Sequence, residues 1–129
     1  MSLLIQKLFV LCVLMLLSIH NVFGVHHHVI IVNSLEDNSD LTIHCKSGDN
    51  DLGVHVLHHG DSYGFAFNDN IFGTTLFFCS FRWSNKFHWF DIYIFDRDYK
   101  RCSVCNWSIK IAGPCLNQDD EHLCYDWNK

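Results

Sequence analysis

Short runs of alternating apolar and polar residues dominate the chain after its first two dozen positions, and helical spacing is almost absent there. Residues 75–83 show the pattern most clearly, because Phe77, Cys79, Phe81 and Trp83 fall on one side. A period of two is typical of a β-strand with one buried face. Turn-forming residues bound seven such runs, which predict strands at 26–33, 41–45, 53–59, 62–68, 75–83, 87–95 and 105–111.

The spacing of these strands predicts the fold class. Turn signals recur roughly every eight to twelve residues, which favours an all-β fold over an α/β fold. We therefore expect a small antiparallel β-sandwich, immunoglobulin-like, with about seven to eight strands. Pro114 lies beyond the last predicted strand, where it would interrupt no hydrogen-bond ladder. The polar segment that follows is expected to be a tail held to the sandwich by Cys115 and Cys124.

The N-terminus has the pattern of a secretory signal peptide. "MSLLIQK" carries one lysine and precedes "LFVLCVLMLLSI", an apolar run of about a dozen residues, which is short for a membrane span. Val22 and Gly24 suit the −3 and −1 positions, so we predict cleavage after Gly24. An uncleaved anchor is the alternative, disfavoured because no stop-transfer flank follows. Residues 25–129 are then one secreted, extracellular domain of the apoplast, with no membrane insertion after cleavage.

The cysteines support secretion. Cys12 leaves with the signal peptide, and an even number of cysteines in a small secreted chain indicates disulfides. Fifteen pairings of six cysteines are possible, and the sequence does not choose among them. A zinc or redox role for "CSVC" (102–105) is the alternative, but this motif leads into a strand pattern and not into a helix start. The predicted disulfide cysteines are Cys45, Cys79, Cys102, Cys105, Cys115 and Cys124.

The charge balance narrows the classes of partner. Lys and Arg total 9 and Asp and Glu total 14, and the loss of Lys7 with the signal peptide makes the net charge −6. An acidic protein is a poor match for nucleic acid or an anionic membrane surface. A protein partner of cationic or mixed charge is easier to accommodate.

The segment "GDNDLG" (48–53) concentrates residues that also bind metals. Asp49, Asn50 and Asp51 resemble the start of a calcium loop, but no further acidic residue follows until Asp61. Asp, Asn and Gly are also the residues that form turns between strands. We therefore predict a turn and no metal site.

Ten histidines suggest zinc, and "HHH" (26–28) is the densest run. Adjacent residues of a strand point to opposite faces, so three consecutive histidines could not all reach one ion. His58 and His59 end a predicted strand, where exposure is expected. The sequence has no strained nucleophile elbow and no carboxylate pair that stands out from the turns. We predict a protein that is not an enzyme and uses no cofactor or metal, with a zinc-dependent secreted enzyme as a weak alternative.

Two further patterns bear on carbohydrate. "NWS" makes Asn106 a candidate N-glycosylation site, on the strand face opposite Trp107 and Ile109. Trp83 and Trp89 flank a predicted hairpin and could form a platform that binds sugars. The competing interpretation is that aromatic residues, 15% of the chain, fill the core of a small domain. A secreted cell-wall carbohydrate-binding module is therefore an alternative function.

The ordered motifs resemble the plant self-incompatibility family, also called S-protein homologues. The matching segments span nearly the whole predicted mature chain, and the combination of "HCKS…DLG" with "TLFFC" is specific. One departure is Asp126, where the family pattern has Pro before the terminal Trp. The segments are "VIIVN", "IHCKSGDNDLG", "FGTTLFFCSFRW", "FDIY", "CSVCNWSIKIAGPC" and "CYDWNK".

The resemblance implies a function. Such proteins include stigma-secreted ligands that bind a pollen membrane receptor and stop self-pollen through calcium signalling, while many homologues have no assigned task. It implies a ligand for a membrane-bound cell-surface receptor, acting in self-pollen rejection or in another developmental or defence role. Apart from the resemblance, we expect a monomer. Recognition is attributed to hydrophilic surface loops. The candidate contact residues are Arg97, Asp98, Tyr99 and Lys100 on one predicted hairpin tip, with Asp49, Asn50 and Asp51 in the earlier turn.

Overall fold

The computed structural model describes residues 2–23 and 26–128. The predicted cleavage position after Gly24 lies outside these residues. In chain order the elements are α1 (Leu3–Phe23), β1 (His26–Asn33), β2 (Leu41–Lys46), β3 (Asp51–Leu57), β4 (Ser62–Asn68), β5 (Leu76–Trp83), β6 (Lys86–Ile94), α2 (Phe95–Asp98), β7 (Val104–Lys110), β8 (Gly113–Gln118) and β9 (Glu121–Cys124).

The strands form two sheets, which confirms the all-β sandwich. One sheet has five strands in the order β4-β1-β7-β8-β9, and the other has four in the order β3-β2-β5-β6. All seven predicted strands are present within two residues of their predicted ends. One pair departs from the antiparallel prediction, because β1 and β7 run parallel, with Ile31 opposite Trp107. The chain reaches β7 from the other sheet through α2, and a crossover of this kind permits parallel pairing.

The predicted C-terminal tail is wrong, because this segment forms β8 and β9. Four consecutive buried residues open β8, so it lacks the alternation that identified the other strands. Pro114 lies inside the ladder opposite Ile109, as the second residue of its strand. Its carbonyl accepts the Tyr125 N–H at 2.9 Å, so only its missing donor is lost from the sheet.

The core lies between the sheets and follows the predicted alternation. Phe77, Cys79, Phe81 and Trp83 of β5 are all buried. Trp107 is among the largest fully buried side chains. Burial of one large apolar side chain contributes roughly 1.5–3 kcal/mol to stability. The alternating strands each bury several such side chains, and this burial is the main source of stability.

The structure pairs the six cysteines in a way that the sequence left open. Cys45 bonds Cys79 across the neighbouring strands β2 and β5, and the two residues are 34 positions apart in sequence. A bridge of this kind typically stabilises a domain by about 2–4 kcal/mol. The other two bridges are local, Cys102–Cys105 and Cys115–Cys124.

The helix α1 covers most of the predicted signal peptide. Its apolar side chains between Leu3 and Leu16 are mostly exposed, and no residue of this stretch belongs to the hydrophobic core. Within the described residues, none of the helices is long and apolar enough to cross a membrane. Cleavage and secretion remain predictions.

Candidate functional site

Strand register brings three connections to the same end of the sandwich. Lys46 lies opposite Phe78, and Leu76 lies opposite Ile94, so the end of β2, the start of β5 and the end of β6 coincide. The parallel pairing of β1 with β7 places the start of β7 at the start of β1. We call this end the loop end. It comprises the β2–β3 turn (47–50), the β4–β5 loop (69–75) and the β6–β7 connection (95–103).

The β4–β5 loop exposes two large apolar side chains. Ile71 is 71% exposed and Phe72 is 82% exposed, the highest values for large hydrophobic residues among the described residues of 26–128. Single exposed apolar residues are common, but an adjacent pair at a loop apex is a feature of interaction sites. The alternation of apolar and polar residues does not single out these two side chains. An apolar pair inside the turn-like stretch "DNIFGT" was the available indication.

Asn70 holds this loop in one shape. Its Oδ1 accepts the backbone N–H groups of Phe72 at 3.2 Å and of Thr74 at 2.9 Å. Its Nδ2 donates to Thr74 Oγ1 at 2.9 Å, and its backbone N–H donates to Thr75 Oγ1 at 2.8 Å. Side chains of Asn commonly bond their own backbone in this way. The loop therefore presents Phe72 from a hydrogen-bonded frame.

Gly73 fixes the loop against α2. Its φ of +67° lies in the left-handed region, which side chains with a Cβ rarely adopt. A Cβ at this position would lie 2.8 Å from a ring carbon of Phe95. The Phe95 ring stacks in turn on Tyr99, with 4.6 Å between ring centroids. The apolar loop and the exposed Tyr99 are therefore parts of one surface.

A buried polar network anchors the base of the loop. His27 Nε2 lies 2.7 Å from Asp69 Oδ2, and Tyr93 donates its hydroxyl to Asp69 Oδ1 at 2.7 Å. His27 Nδ1 bonds the Cys102 carbonyl at 3.0 Å. Since a carbonyl only accepts, Nδ1 carries a hydrogen. The network therefore ties Asp69, the first residue of the loop, to β1, β6 and the start of the Cys102–Cys105 bridge.

The environment of this network excludes contact with a solute. The side chains of His27 and Asp69 are 1% and 3% exposed. Burial raises the pKa of Tyr93, and its hydrogen bond to Asp69 raises it further, so the phenol is a neutral donor. A His–Asp pair occurs in catalytic sites, but the burial of both side chains keeps this pair from contact with solutes. Its role is structural.

The predicted hairpin tip at 97–100 is wrong, because the structure forms the short helix α2 there. Asp98 is completely buried and accepts the Ile94 N–H at 3.0 Å. Arg97 donates to both carboxylate oxygens of Asp98, at 2.8 and 2.7 Å, and to the Asp91 carbonyl. Arg97 and Asp98 therefore bond each other and are not available to a partner, whereas Tyr99 and Lys100 are exposed.

Aromatic rings cover most of the Arg97 side chain. A guanidinium over a ring face is attracted by the ring quadrupole, more strongly where water is excluded. Three rings surround it at 5.1–5.2 Å from their centroids. They belong to Phe90, Trp107 and Tyr125.

The β2–β3 turn borders an open cleft. Asp49 and Asn50 are exposed there, as the turn prediction required. Asp51 instead begins β3, where its Oδ1 accepts the Gly53 N–H at 2.9 Å and lies 2.6 Å from His44 Nε2. The Gly53 bond first, and then the His44 bond, lower the pKa of Asp51. The cleft has a volume of about 700 Å³ and is lined by Ser47, Gly48, Asp49, Asn50, Ala66, Phe67, Asn68, Asn70, Thr74, Thr75, Leu76, Phe77 and Phe78.

The structure also places the two tryptophans of the predicted sugar platform. Trp83 is buried in the core, so the prediction of a platform formed by Trp83 and Trp89 is wrong. Trp89 lies on the opposite face of its sheet and is 44% exposed. The alternation of β5 and β6 separates the two residues onto different faces.

Asn106 lies on the outer face of the five-stranded sheet. It is exposed, and within the described residues its side chain forms no hydrogen bond, whereas Asn117 on the next strand donates to Ser108 Oγ at 2.7 Å. The glycosylation of Asn106 remains a prediction.

One histidine lies within reach of two cysteines. In the part of the chain that the structure describes, His122 lies with Cys115 and Cys124 as a group of three potential metal ligands. The two cysteines are bonded to each other, so neither offers a thiolate. In the "HHH" run, His27 is buried while His26 and His28 are exposed, as strand alternation requires.

Comparison with known proteins shows which protein family this chain is similar to. A sequence profile of plant self-incompatibility protein S1 matches residues 28–127. S-protein homolog 3 of Arabidopsis thaliana is 46% identical over 105 residues, which cover 76% of this chain and 70% of that protein. S-protein homolog 29 of the same plant is 42% identical over 103 residues, which cover 78% and 76%.

A solved structure shares the fold. It is of SPH (self-incompatibility protein homologue) proteins, described as a widespread family of small, highly stable, secreted proteins from plants. It aligns with a TM-score of 0.59 at 21% identity and covers 82% of this chain and 97% of its own. The structural likeness supports the sandwich, and the profile and sequence matches establish that the chain belongs to the plant self-incompatibility protein S1 family.

Proposed function

We propose that this protein is a secreted ligand that binds a membrane-bound receptor protein through its loop end. Phe72 and Ile71 are the anchors of the contact. The observation that carries this proposal is a hydrogen-bonded loop that holds Phe72 82% exposed. The ligand acts by surface complementarity and performs no catalytic step.

The energetics of interfaces support these anchors. A few large side chains usually dominate binding, and they are surrounded by polar contacts that contribute less. The Asn70 bonds and Gly73 hold the loop before the partner arrives, so binding loses little conformational entropy. Lys100 is exposed beside Tyr99, and Asp49 is exposed across the cleft. A partner with an apolar pocket and a rim of mixed charge fits this arrangement.

The compartment is part of the proposal. Three disulfides suit the oxidising extracellular space, and the N-terminal helix has the composition of a signal peptide. The related SPH proteins of known structure are described as secreted. We place the mature protein in the apoplast as a monomer, with a role in pollen rejection or in another developmental or defence response.

The experiment uses the full chain expressed in plant cells and purified from the medium. Mass spectrometry of the secreted product tests cleavage after Gly24. Labelled protein is then bound to pollen tubes and other plant cells and cross-linked to surface proteins. Phe72→Ala is expected to weaken saturable binding by about thirtyfold, the effect of losing one interface anchor.

The matched control is Val56→Ala. Val56 is also an exposed apolar residue, but it lies on β3 in the four-stranded sheet and not on the loop. Its removal is expected to leave binding unchanged. Equal binding by the wild type and Phe72→Ala, with both proteins folded, would overturn the assignment of the loop end.

A further inference from the structure

A second exposed feature lies on the outer face of the four-stranded sheet. Phe87 and Trp89 of β6 are 46% and 44% exposed, and their ring centroids are 5.4 Å apart. Phe78 of β5 continues the row, 6.2 Å from Trp89. We call Phe78, Trp89 and Phe87 the aromatic strip. Its rings point outward because the alternate positions, among them Cys79 and Phe90, are buried in the core.

The aromatic strip is continuous with the cleft. Phe78 packs against Trp89 and also lines the cleft, so one surface joins the two. The cleft volume of about 700 Å³ is within the usual range of small-ligand sites. Its lining supplies hydroxyl and amide groups as donors and acceptors. These are the side chains of Ser47, Asn50 and Asn68, whereas those of Asn70, Thr74 and Thr75 bond within the β4–β5 loop.

The charge of the cleft restricts what can bind. Among the described residues that line it, Asp49 is the one charged side chain. A carboxylate accepts hydrogen bonds from hydroxyl groups but repels an anionic ligand. The lining therefore favours a ligand that is neutral and rich in hydroxyl groups. The exposed rings favour a ligand that also has flat apolar faces.

We infer that the aromatic strip and the cleft together bind a neutral oligosaccharide. The C–H face of one sugar ring lies on Trp89, which the Phe78 and Phe87 rings flank at interplanar angles of 44° and 77°. Hydroxyl groups of the same chain bond the amides and hydroxyls of the cleft. The site shares the cleft with the proposed receptor surface but does not include the loop apex at Phe72, so sugar binding can be tested separately from receptor binding.

A sugar chain suits this surface better than a polypeptide does. Protein anchors usually fill pockets that close around one side chain. The strip is a row of rings on a sheet, and the hydrogen-bonding groups lie beside it in an open cleft. Ser80 lies opposite Trp89 in the sheet. At the end of the strip away from the cleft, the Arg82 guanidinium lies over the Phe87 ring, 5.2 Å from its centroid, so Trp89 is the exposed ring left for a sugar face.

The test is isothermal titration of the secreted protein with defined oligosaccharides. The probes are neutral hexasaccharides of β-1,4-linked glucose, mannose or xylose, with an anionic oligogalacturonate for comparison. We expect at least one neutral probe to bind and the anionic probe not to bind. Binding of the neutral probe is expected to be insensitive to salt, since no charge pair forms.

Two variants locate the site. Trp89→Ala is expected to weaken binding of the neutral probe by about tenfold, the effect of losing one stacking surface, and Trp89→Tyr to restore most of it. Val54→Ala, on the far edge of the same sheet face, is the control that should leave binding unchanged. Thermal unfolding curves confirm that each variant is folded.

Four results would overturn the inference. The first is that no neutral probe binds, and the second is that the wild type and Trp89→Ala bind the sugar equally well. The third is that the protein prefers the anionic probe. The fourth is that Trp89→Ala still binds the sugar but no longer binds a polypeptide partner. The receptor proposal is tested separately, because Phe72→Ala should keep sugar binding while it loses cell binding.

Discussion

Two connections at the same end of the sandwich differ in how far their side chains are exposed to solvent. The β6–β7 connection carries Arg97 and Asp98, which form an ion pair in which Asp98 is fully buried and Arg97 is mostly covered. The β4–β5 loop carries Ile71 and Phe72, and the structure exposes both. Residue type alone would predict the reverse. The exposure of a side chain therefore depends on the partners that the fold offers it. Arg97 contacts a carboxylate and three aromatic rings. Phe72 lies in the β4–β5 loop, where 82% of it is exposed.

The largest expected effect comes from breaking the buried connection. Asp98→Ala leaves the Arg97 guanidinium without its carboxylate, and loss of one partner of a buried pair typically costs about 3–5 kcal/mol. Chemical denaturation should show this loss of unfolding free energy. The control is Asp96→Ala, two residues away and exposed, which should change stability little. An Asp98→Ala protein as stable as the wild type would show that the pair is not structural.

The buried anchor of the exposed loop should give the next largest effect. Tyr93→Phe removes the hydroxyl that bonds Asp69 Oδ1 and leaves that oxygen unsatisfied, at a cost of about 1–3 kcal/mol. Amide hydrogen exchange should accelerate in residues 69–75, since the loop loses a bond at its base. Tyr99→Phe is the matched control, because the Tyr99 side chain is exposed. Faster exchange in both variants would count against a specific anchor.

The frame of the exposed loop can be disturbed without touching Phe72. Gly73→Ala places a Cβ against the Phe95 ring at a positive φ, and we expect a loss of about 1–2 kcal/mol. If a rigid loop matters for recognition, cell binding should fall as well. Gly48→Ala is the control, because a Cβ there meets nothing within 4 Å. Unchanged stability and binding in Gly73→Ala would show that the loop adapts freely.

The smallest expected effect is a pH dependence at the opposite end, where His88 stacks on Trp127 with 4.9 Å between centroids. Burial first, and then Lys86, lower the pKa of His88 below 6.5. As the pH falls below 6.5, the unfolded state takes up this proton more readily than the folded state, so stability decreases. His88→Gln should reduce that decrease in denaturation curves measured at successive pH values.

His58 provides a comparison of opposite sign. Its bond to Asp40, at 2.8 Å, raises the pKa of His58 above 6.5. Its contribution to stability is therefore present below pH 6.5 and is lost as the pH rises through the higher folded-state value. Asp40→Asn should remove this loss of stability at higher pH. For His88, a His88→Gln protein that loses stability more steeply than the wild type as the pH falls would contradict the assignment.

The strands were predictable because alternation is a local property of the chain. Ile43 and Cys45 face the core while His44 faces outward, as the spacing required. The strands β8 and β9 were not predictable, since β8 opens with four buried residues and has no alternation to read. Its first residues lie between β7 and the segment around Tyr125, and a Cβ on Gly113 would lie 2.0 Å from the Tyr125 carbonyl oxygen. The pattern of apolar and polar residues along the sequence does not show such crowding from both sides.

The candidate site was predictable only in part. Asp49, Asn50, Tyr99 and Lys100 are on the surface, as expected from their turn-like segments. Phe72 was missed because hydrophobic residues are assigned to the core unless a structure shows otherwise. The two predicted contact segments proved to flank the missed loop, a proximity that follows from strand register.

By itself, the sequence determined the sheet faces, the number of available cysteines, the family motifs and the turns, because each of these depends on residues close together in the chain. The tertiary structure decided which cysteines pair, that β1 and β7 run parallel, that Asp98 is buried against Arg97 and that Ile71 and Phe72 are exposed. These outcomes depend on contacts between residues distant in sequence. Burial of a polar group is tolerable only where the fold supplies its partners, and exposure of an apolar group follows where the fold supplies none.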